Sequence, residues 1–242
     1  MIEVHNLQKQ FGPRLVVNGV SFVAPDGEIT GILGANGAGK TTVLRMISGI
    51  LRPSAGDAQI DGRSVRMDMG SAQMRVGSLL DHTGIYSRLT PRENLMYFGR
   101  LRQIPPNVIE HRVEDTLGLL GLKELADIPT MGFSQGERMK VALGRVLVHR
   151  PPNLLLDEPT NALDILSIRS LRKLLEKLRE EGRCIVFSSH VLDEVQALCD
   201  RVVILCSGSI AAEGTISEIC GQTNSSNLEE AFIGVTSQVG GL

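Results

Sequence analysis

The chain has 242 residues, which is enough for one large α/β domain or two small ones. Lysine and arginine total 25 and aspartate and glutamate total 27, so the formal net charge is -2 and the chain has no overall attraction for nucleic acid or an anionic membrane. Aromatic residues are only 3% of the chain, which argues against a surface that stacks nucleic-acid bases.

The first fifty residues predict short strands followed by a helix. β-forming residues indicate strands over 2–7, 14–17 and 20–23, and a short apolar run over 29–33 is typical of a buried parallel strand. From Lys40 onwards apolar residues recur at helical spacing, so we expect a helix to begin there. This order predicts an α/β fold.

The segment from about 88 to 149 predicts helices only. TPRE at 90–93 and SQGE at 134–137 both have the pattern of a capping box. Pro105 and Pro106 end the first helix, an apolar stripe follows Asn107, and apolar residues at helical spacing follow the second box. The sequence therefore predicts an all-helical insert within the α/β chain. After the insert, strands and helices alternate again over 154–156, 165–181, 184–188, 191–199 and 201–205.

The most specific motif is GANGAGKT at 34–41, which fits the pattern G-x-x-x-x-G-K-[ST] between a predicted strand and a predicted helix. The glycines let successive backbone N–H groups point at phosphate oxygens, and the start of the helix adds positive charge. Lys40 can reach the outer phosphates, and Thr41 offers a hydroxyl to Mg²⁺. The alternative is a glycine-rich turn between a strand and a helix.

A carboxylate pair follows the predicted strand in LLLDEP at 154–159. Ligands bind at the carboxyl edge of parallel sheets, which is where this pair lies. Asp157 is placed to hold Mg²⁺, and Glu158 to act as the general base for an attacking water. The alternative is a polar strand end before Pro159.

FSQGE at 133–137 allows two interpretations that are compatible. Ser134 and Glu137 form the capping box, and the Ser134 hydroxyl, Gly136 and the helix start also suit a second anion site. Because Lys40 already serves the terminal phosphate of one nucleotide, the second site makes sense if it faces a nucleotide held by another subunit.

Two further residues are candidates for nucleotide contacts. His190 follows the strand CIVFSS and could donate a hydrogen bond to the terminal phosphate, or it could simply begin a helix at the surface. Phe11 could stack on a base, or it could be a core residue. The four cysteines, Cys184, Cys199, Cys206 and Cys220, have no zinc-like spacing, and we expect them to be buried and reduced.

Taken in order, these motifs resemble the nucleotide-binding subunit of ABC transporters, from about Ile2 to Val235. NALD at 161–164 resembles the family's subunit-contact loop, and the segments around 84–101 and 134–159 are similar to ATP-binding subunits of sodium-efflux transporters. The chain departs from the family pattern at Gln135 and Glu137 in the signature. It also has Asp81 where the family usually has glutamine.

The resemblance implies a P-loop NTPase fold of the ABC type. That fold has an α/β core of RecA type, an antiparallel β subdomain and a helical insert, here in one domain over 1–235 with a tail over 236–242. The implied activity is ATP hydrolysis coupled to transport, with ATP and Mg²⁺ as ligands. The implied catalytic residues are Lys40, Glu158 and His190, and the implied metal contacts are Thr41, Asp157 and Asp81. The implied nucleotide contacts are Phe11, Gly34, Ala35, Asn36, Gly37, Ala38, Gly39, Lys40, Thr41, Thr42, Ser134 and Gly136.

The resemblance also implies partners. Two such chains, or this chain and a similar subunit, would pack head to tail around ATP and drive a separate transmembrane permease from the cytoplasmic side of the membrane. No apolar run in the sequence approaches the roughly 20 residues of a membrane span, and no nucleic-acid partner is expected. Two rival interpretations are a non-transport ABC ATPase acting on ribosomes or DNA and a phosphate-loop kinase.

Overall fold

The computed structural model describes residues 1–80 and 84–240, with side chains through 237. The strands are β1 (Ile2–Phe11), β2 (Arg14–Ala24), β3 (Ile29–Leu33), β4 (Ala55–Ile60), β5 (Arg63–Ser64), β6 (Val76–Leu79), β7 (Asn153–Asp157), β8 (Cys184–Ser189), β9 (Arg201–Cys206) and β10 (Ser209–Gly214). The helices are α1 (Lys40–Ile47), α2 (Met69–Met74), α3 (Pro91–Leu101), α4 (Pro106–Leu119), α5 (Gln135–Leu147), α6 (Ile165–Glu180), α7 (Leu192–Leu198), α8 (Ile216–Thr223) and α9 (Leu228–Gly240).

The strands form two sheets. One has the order β2-β1-β4-β5 with antiparallel pairs, and the other has the order β10-β9-β3-β8-β7-β6 with parallel pairs except for β9–β10. The predicted strands over 14–17 and 20–23 are one strand, because Gly19 at φ 71° is accommodated in β2 by an irregular register with β1. The prediction of a mixed α/β chain with an antiparallel sheet is confirmed.

The described residues divide into two compact units. The first contains Met1–Leu80 and Pro152–Glu158 together with the described part of Leu178–Leu242, and it holds both sheets. Its core packs the antiparallel sheet against α1 and one face of the central strands. The fully buried side chains there include Leu7, Ile32, Leu44, Leu155 and Val186.

The second unit contains the described part of Asp81–Pro151 together with Pro159–Lys177, and it is helical. Both predicted capping boxes are present, with Thr90 accepting a hydrogen bond from the Glu93 N–H and Ser134 from the Glu137 N–H. No helix in the described ranges is long and apolar enough to cross a membrane.

The four cysteines are free thiols. Cys184 is buried, but Cys199, Cys206 and Cys220 are only partly buried. The expectation of four buried cysteines is therefore wrong for three of them, because they lie at the end of a helix or strand or within a short surface helix.

Candidate nucleotide-binding site

The phosphate loop connects β3, which ends at Leu33, to α1, which begins at Lys40. Gly37 and Gly39 have φ angles of 83° and 105°, a left-handed backbone conformation that disfavours other residues. Gly34 has a different role, because a Cβ there would lie 2.6 Å from the Leu205 carbonyl oxygen. Glycine is therefore needed at these positions by the local backbone and by close packing.

A turn after β9 supports the loop from behind. The Gly208 N–H donates to the Ala38 carbonyl at 3.1 Å, and the Gly208 carbonyl accepts from the Asn18 N–H at 2.8 Å. Gly208 has φ 83°, and a Cβ at this position would collide with the Val16 carbonyl oxygen. The turn thus connects the phosphate loop to β2.

Lys40 is 5% exposed and its ammonium group lies within the loop. Its Nζ donates to the Gly34 carbonyl at 2.7 Å and to the Ala35 carbonyl at 3.3 Å, and it pairs with Glu158 Oε1 at 3.3 Å. Two predicted site residues, one on the loop and one beyond β7, are therefore in direct contact.

Glu158 also contacts His190, whose Nδ1 lies 2.9 Å from Glu158 Oε2. The neighbouring strands β7 and β8 are parallel, so their carboxyl ends bring Asp157, Glu158 and His190 to one edge of the sheet. Asp157 is 8% exposed, and its Oδ1 accepts a hydrogen bond from Ser188 Oγ at 2.5 Å. The structure thus brings together the loop lysine, both carboxylates and the histidine.

A pocket of about 260 Å³ opens over the loop. Its lining includes a residue that the sequence analysis missed, the exposed Arg14 at the start of β2. A basic residue three positions after the candidate aromatic Phe11 was the available signal. The lining residues are Arg14, Val16, Asn36, Gly37, Gly39, Lys40, Thr41, Thr42 and Glu158.

One predicted nucleotide contact, Phe11, lies away from the loop pocket. Phe11 is 48% exposed, so the core alternative is wrong, and Lys9 Nζ lies 5.1 Å from its ring centroid. Asp81, the third predicted metal contact, lies outside the described residues.

Ser134 and Gly136 belong to the second unit, at the start of α5. Ser134 Oγ donates to Glu137 Oε2 at 2.8 Å, and the Ser134 N–H donates to the same carboxylate oxygen at 2.8 Å. Gly136 is buried, and a Cβ there would collide with Ser167 Oγ, so its lack of a side chain already has a packing role. The Ser167 hydroxyl in turn donates to Asp164 and lowers the pKa of that carboxyl.

This arrangement can bind a nucleoside triphosphate and activate water. The loop supplies backbone N–H groups and an ammonium for phosphates, and Thr41 and Asp157 supply oxygen atoms of the kind that Mg²⁺ prefers. Glu158 supplies a carboxylate beside them that can accept a proton.

Comparison with known proteins also indicates a nucleotide-binding protein. A family model described as ABC transporter matches residues 17–161. The "ABC transporter ATP-binding protein NatA" of Bacillus subtilis (strain 168) is 41% identical over 218 residues, covering 90% of this chain and 89% of that protein. The "Nod factor export ATP-binding protein I" of Burkholderia lata is 37% identical over 213 residues, covering 88% of this chain and 70% of that protein.

A solved structure with the description "Structure of ATP binding subunit of ABC transporter" has a TM-score of 0.87 to this chain at 28% identity, covering 98% of this chain and 99% of that one. The predicted P-loop NTPase fold of the ABC type is confirmed by these matches. The chain belongs to the ABC transporter family and is one of its ATP-binding, ATP-hydrolysing proteins.

Proposed function

We propose that this chain binds ATP at the phosphate loop and hydrolyses it to power export through a separate membrane subunit. The observation that carries the proposal is the position of Glu158. Its carboxylate lies 3.3 Å from Lys40 Nζ and 2.9 Å from His190 Nδ1, and it lines the pocket over the loop. A general base for water attacking the terminal phosphate is needed at such a position.

ATP binding at Lys40 would break the ion pair between Lys40 and Glu158 and so free the Glu158 carboxylate. Lys40 Nζ has three oxygen partners, the carbonyls of Gly34 and Ala35 and the Glu158 carboxylate. A phosphate oxygen carries more charge than a carbonyl oxygen and would replace these partners. Glu158 would then be free to accept a proton from water, with His190 holding its second oxygen.

Mg²⁺ belongs to the same proposal. Thr41 lines the loop pocket, and Asp157 lies at the adjacent strand end with one carboxylate oxygen bonded to Ser188. Within the described residues no group of three or more His, Cys, Asp or Glu side chains is arranged for a metal. Mg²⁺ takes one or two protein ligands together with substrate phosphates and water, so Thr41 and Asp157 are the residues that would hold it. When bound, Mg²⁺ neutralises charge on the phosphate oxygens.

The second half of the site comes from another chain. We assign Ser134 and Gly136 to the terminal phosphate of an ATP held by the partner, in a head-to-tail dimer formed either by two copies or with a similar subunit. The start of α5 suits this role because its first N–H groups and its dipole favour an anion. Closure is driven by ATP because the open state lacks this contact.

The membrane subunit is expected to dock near 81–101. Three large side chains in the described part of this segment are exposed, with Tyr86 at 48%, Tyr97 at 42% and Leu101 at 59%. The chain would thus act at the cytoplasmic face as a peripheral subunit. Export is supported by the similarity to a Nod factor export protein. Sodium, suggested by the resemblance in sequence, is the first cargo to test.

The domain organisation is also a proposal. We assign 1–235 to one nucleotide-binding domain with a helical insert at about 88–149. The compact helical unit, which contains the described part of Asp81–Pro151, supports the insert. The helix α9 continues to Gly240 and therefore includes described residues of the proposed tail over 236–242.

The test is to purify tagged chain in mild detergent from the membranes of its own cells and to identify the bound partners by mass. A polytopic membrane protein at matching stoichiometry is expected, and its reconstitution with this chain would allow transport of sodium and other cargo to be measured. Recovery of ribosomal proteins or DNA without a membrane subunit would contradict the transport proposal and favour the non-transport ATPase.

A further inference from the structure

Ser188 is a buried hydroxyl residue at the centre of the candidate site. It is fully buried on β8 and lies directly opposite Asp157 in the register of β7 and β8. Sequence patterns alone give Ser188 no role, because it reads as a residue of the strand CIVFSS that precedes His190. Its hydroxyl lies between the Asp157 carboxylate and the Glu158 backbone N–H.

The Ser188 hydroxyl uses both its donor and its acceptor capacity. Its Oγ donates to Asp157 Oδ1 at 2.5 Å and accepts from the Glu158 N–H at 3.0 Å. A serine hydroxyl carries one hydrogen, so donation to Asp157 fixes its orientation and leaves a lone pair for Glu158. The same Glu158 N–H also lies 3.2 Å from the Ser188 carbonyl oxygen.

Glu158 needs such a contact because its backbone conformation is unusual. Its φ is 46°, in the left-handed region that residues with a Cβ rarely adopt. Such a conformation persists only where the surroundings hold it, and it is often found at functional sites. The Glu158 N–H bonds to Ser188 through both the hydroxyl and the backbone carbonyl, and these bonds help to hold this backbone. Together with the contacts of the carboxylate to Lys40 and His190, they set the direction of the side chain.

The adjacent serine has a different set of partners. Ser189 Oγ donates to Glu194 Oε2 at 2.9 Å and accepts from the Val191 N–H at 3.0 Å. Both Ser189 and Glu194 are at least nine-tenths buried. These contacts fix the turn that carries His190, so the two serines act on different sides of the site.

We propose that Ser188 is a positioning residue for ATP hydrolysis, whose hydroxyl holds the Glu158 backbone so that the carboxylate points at the attacking water. The inference rests on the proposed role of Glu158. A merely structural role would lower stability and leave the hydrolysis rate of the folded protein unchanged. A positioning role lowers kcat more than it weakens ATP binding, because the phosphate loop is untouched. The bond from the Ser188 hydroxyl to Asp157 could also act through the proposed Mg²⁺ contact, so the effect of Ser188 has to be tied to Glu158 by a double variant.

The test compares Ser188→Thr with Ser188→Val. The two substituted side chains have the same shape, but only threonine keeps the hydroxyl, and both suit a buried strand. We expect Ser188→Thr to retain kcat within about threefold and Ser188→Val to lose roughly 10- to 100-fold, the effect of misplacing a catalytic group. The KM for ATP should change less than about twofold in both. Ser188→Ala should behave like Ser188→Val.

Thr30→Val is the matched control. Thr30 is a 1% exposed hydroxyl residue on the neighbouring strand β3, and no described group bonds to its Oγ1. We expect Thr30→Val to keep full kcat. The melting temperature of every variant is measured so that only folded protein is compared.

A second measurement asks whether Ser188 acts through Glu158. In a Glu158→Gln background, Ser188→Val should lower the residual single-turnover rate by less than about twofold. The reason is that the effects of two substitutions are not additive when both residues act through the same catalytic group. Equal kcat values for Ser188→Thr and Ser188→Val, or a full additional loss in the Glu158→Gln background, would overturn the proposal. If Glu158→Gln itself leaves hydrolysis unchanged, the proposed function fails first, so the two failures are distinguishable.

Discussion

Lys40 Nζ lies 3.3 Å from Glu158 Oε1, which places the phosphate-binding lysine and the proposed general base in one ion pair. The lysine is almost fully buried, whereas 21% of the Glu158 side chain is exposed. The carboxylate can therefore turn towards solvent more easily than the ammonium can. ATP binding would separate the pair by giving Lys40 a phosphate partner, and the first two predictions concern its two members.

Replacing Lys40 with alanine should strongly weaken ATP binding. The substitution removes a charge-assisted contact of about 1.5–3 kcal/mol, which corresponds to roughly 10- to 150-fold in affinity. Calorimetry with ATP measures the change. Arg45→Ala, on the exposed face of α1, is the control and should bind normally. Unchanged affinity of the Lys40 variant would refute the assignment of this lysine to phosphate.

Glu158→Gln should bind ATP and hydrolyse it roughly 10²- to 10⁴-fold more slowly, because glutamine cannot accept the proton from water. The amide also ends the ion pair with Lys40, so ATP affinity should stay equal or rise. Phosphate release measures the rate, and light scattering measures the ATP-bound dimer that should accumulate. Rapid phosphate release by this variant would show that another group is the base.

Arg14 lines the pocket over the loop, so Arg14→Ala should weaken ATP binding without slowing the chemical step. Because Arg14 is exposed, we expect a loss of only about 1 kcal/mol, or roughly fivefold in affinity. Adenosine, which lacks phosphates, serves as the comparison ligand. If Arg14 contacts the phosphates, adenosine binding stays the same, and an equal loss for both ligands would place Arg14 at the nucleoside.

Glu137 places a carboxylate on the Ser134 hydroxyl, where the partner's ATP is proposed to bind. Glu137→Gln keeps a residue that supports a capping box but removes the negative charge. We expect the ATP concentration needed for dimerisation to fall roughly fivefold, which corresponds to about 1 kcal/mol of removed repulsion.

The measurement is light scattering against ATP concentration in the Glu158→Gln background. Glu93→Gln is a matched control, because Thr90 and Glu93 form the same capping box at the start of α3. The control should leave dimerisation unchanged. A similar shift in both variants would mean that helix stability, not charge at the second anion site, is the cause.

Cys184 and Cys199 should resist alkylation in the folded protein. Burial raises the pKa of Cys184 to about 12. The residue Cys199 is partly exposed, but its sulfur faces Gly31 on β3, where desolvation raises the pKa of the thiol, so both thiols stay protonated and unreactive at pH 8. Iodoacetamide labelling followed by peptide mass analysis should modify Cys206 and Cys220 first. All four should be labelled in guanidinium, where the pKa values return to the ordinary range. Early labelling of Cys184 would contradict this burial.

Features that depend on a few adjacent residues could be predicted from the sequence. The phosphate loop needs glycines and a lysine within eight positions, and each capping box needs two residues three positions apart. The strand order was not predictable in this way, because β3 is paired with β8 and β9, which lie far along the chain. The ion pair of Lys40 with Glu158 has the same origin, since Lys40 follows β3 and Glu158 follows β7, and both of these strands pair with β8.

Residues whose role depends on the backbone of a distant segment were missed. Ser188 looked like an ordinary strand residue until its register with Asp157 was known. Arg14 is not part of any motif in the sequence, and its place in the pocket depends on how β2 lies against the phosphate loop. Gly136 was assigned to phosphate binding alone, although it is also required by the packing of Ser167.

The turn at Gly208 has a consequence for the order in which the protein is made. The phosphate loop is encoded by 34–41, but it is held by Gly208, and its strand β3 is flanked by β8 and β9. Contacts between residues so far apart in sequence form late and slowly. During synthesis the phosphate-loop sequence therefore leaves the ribosome long before the segments that hold it, and it gains its shape only after β8, β9 and Gly208 have emerged.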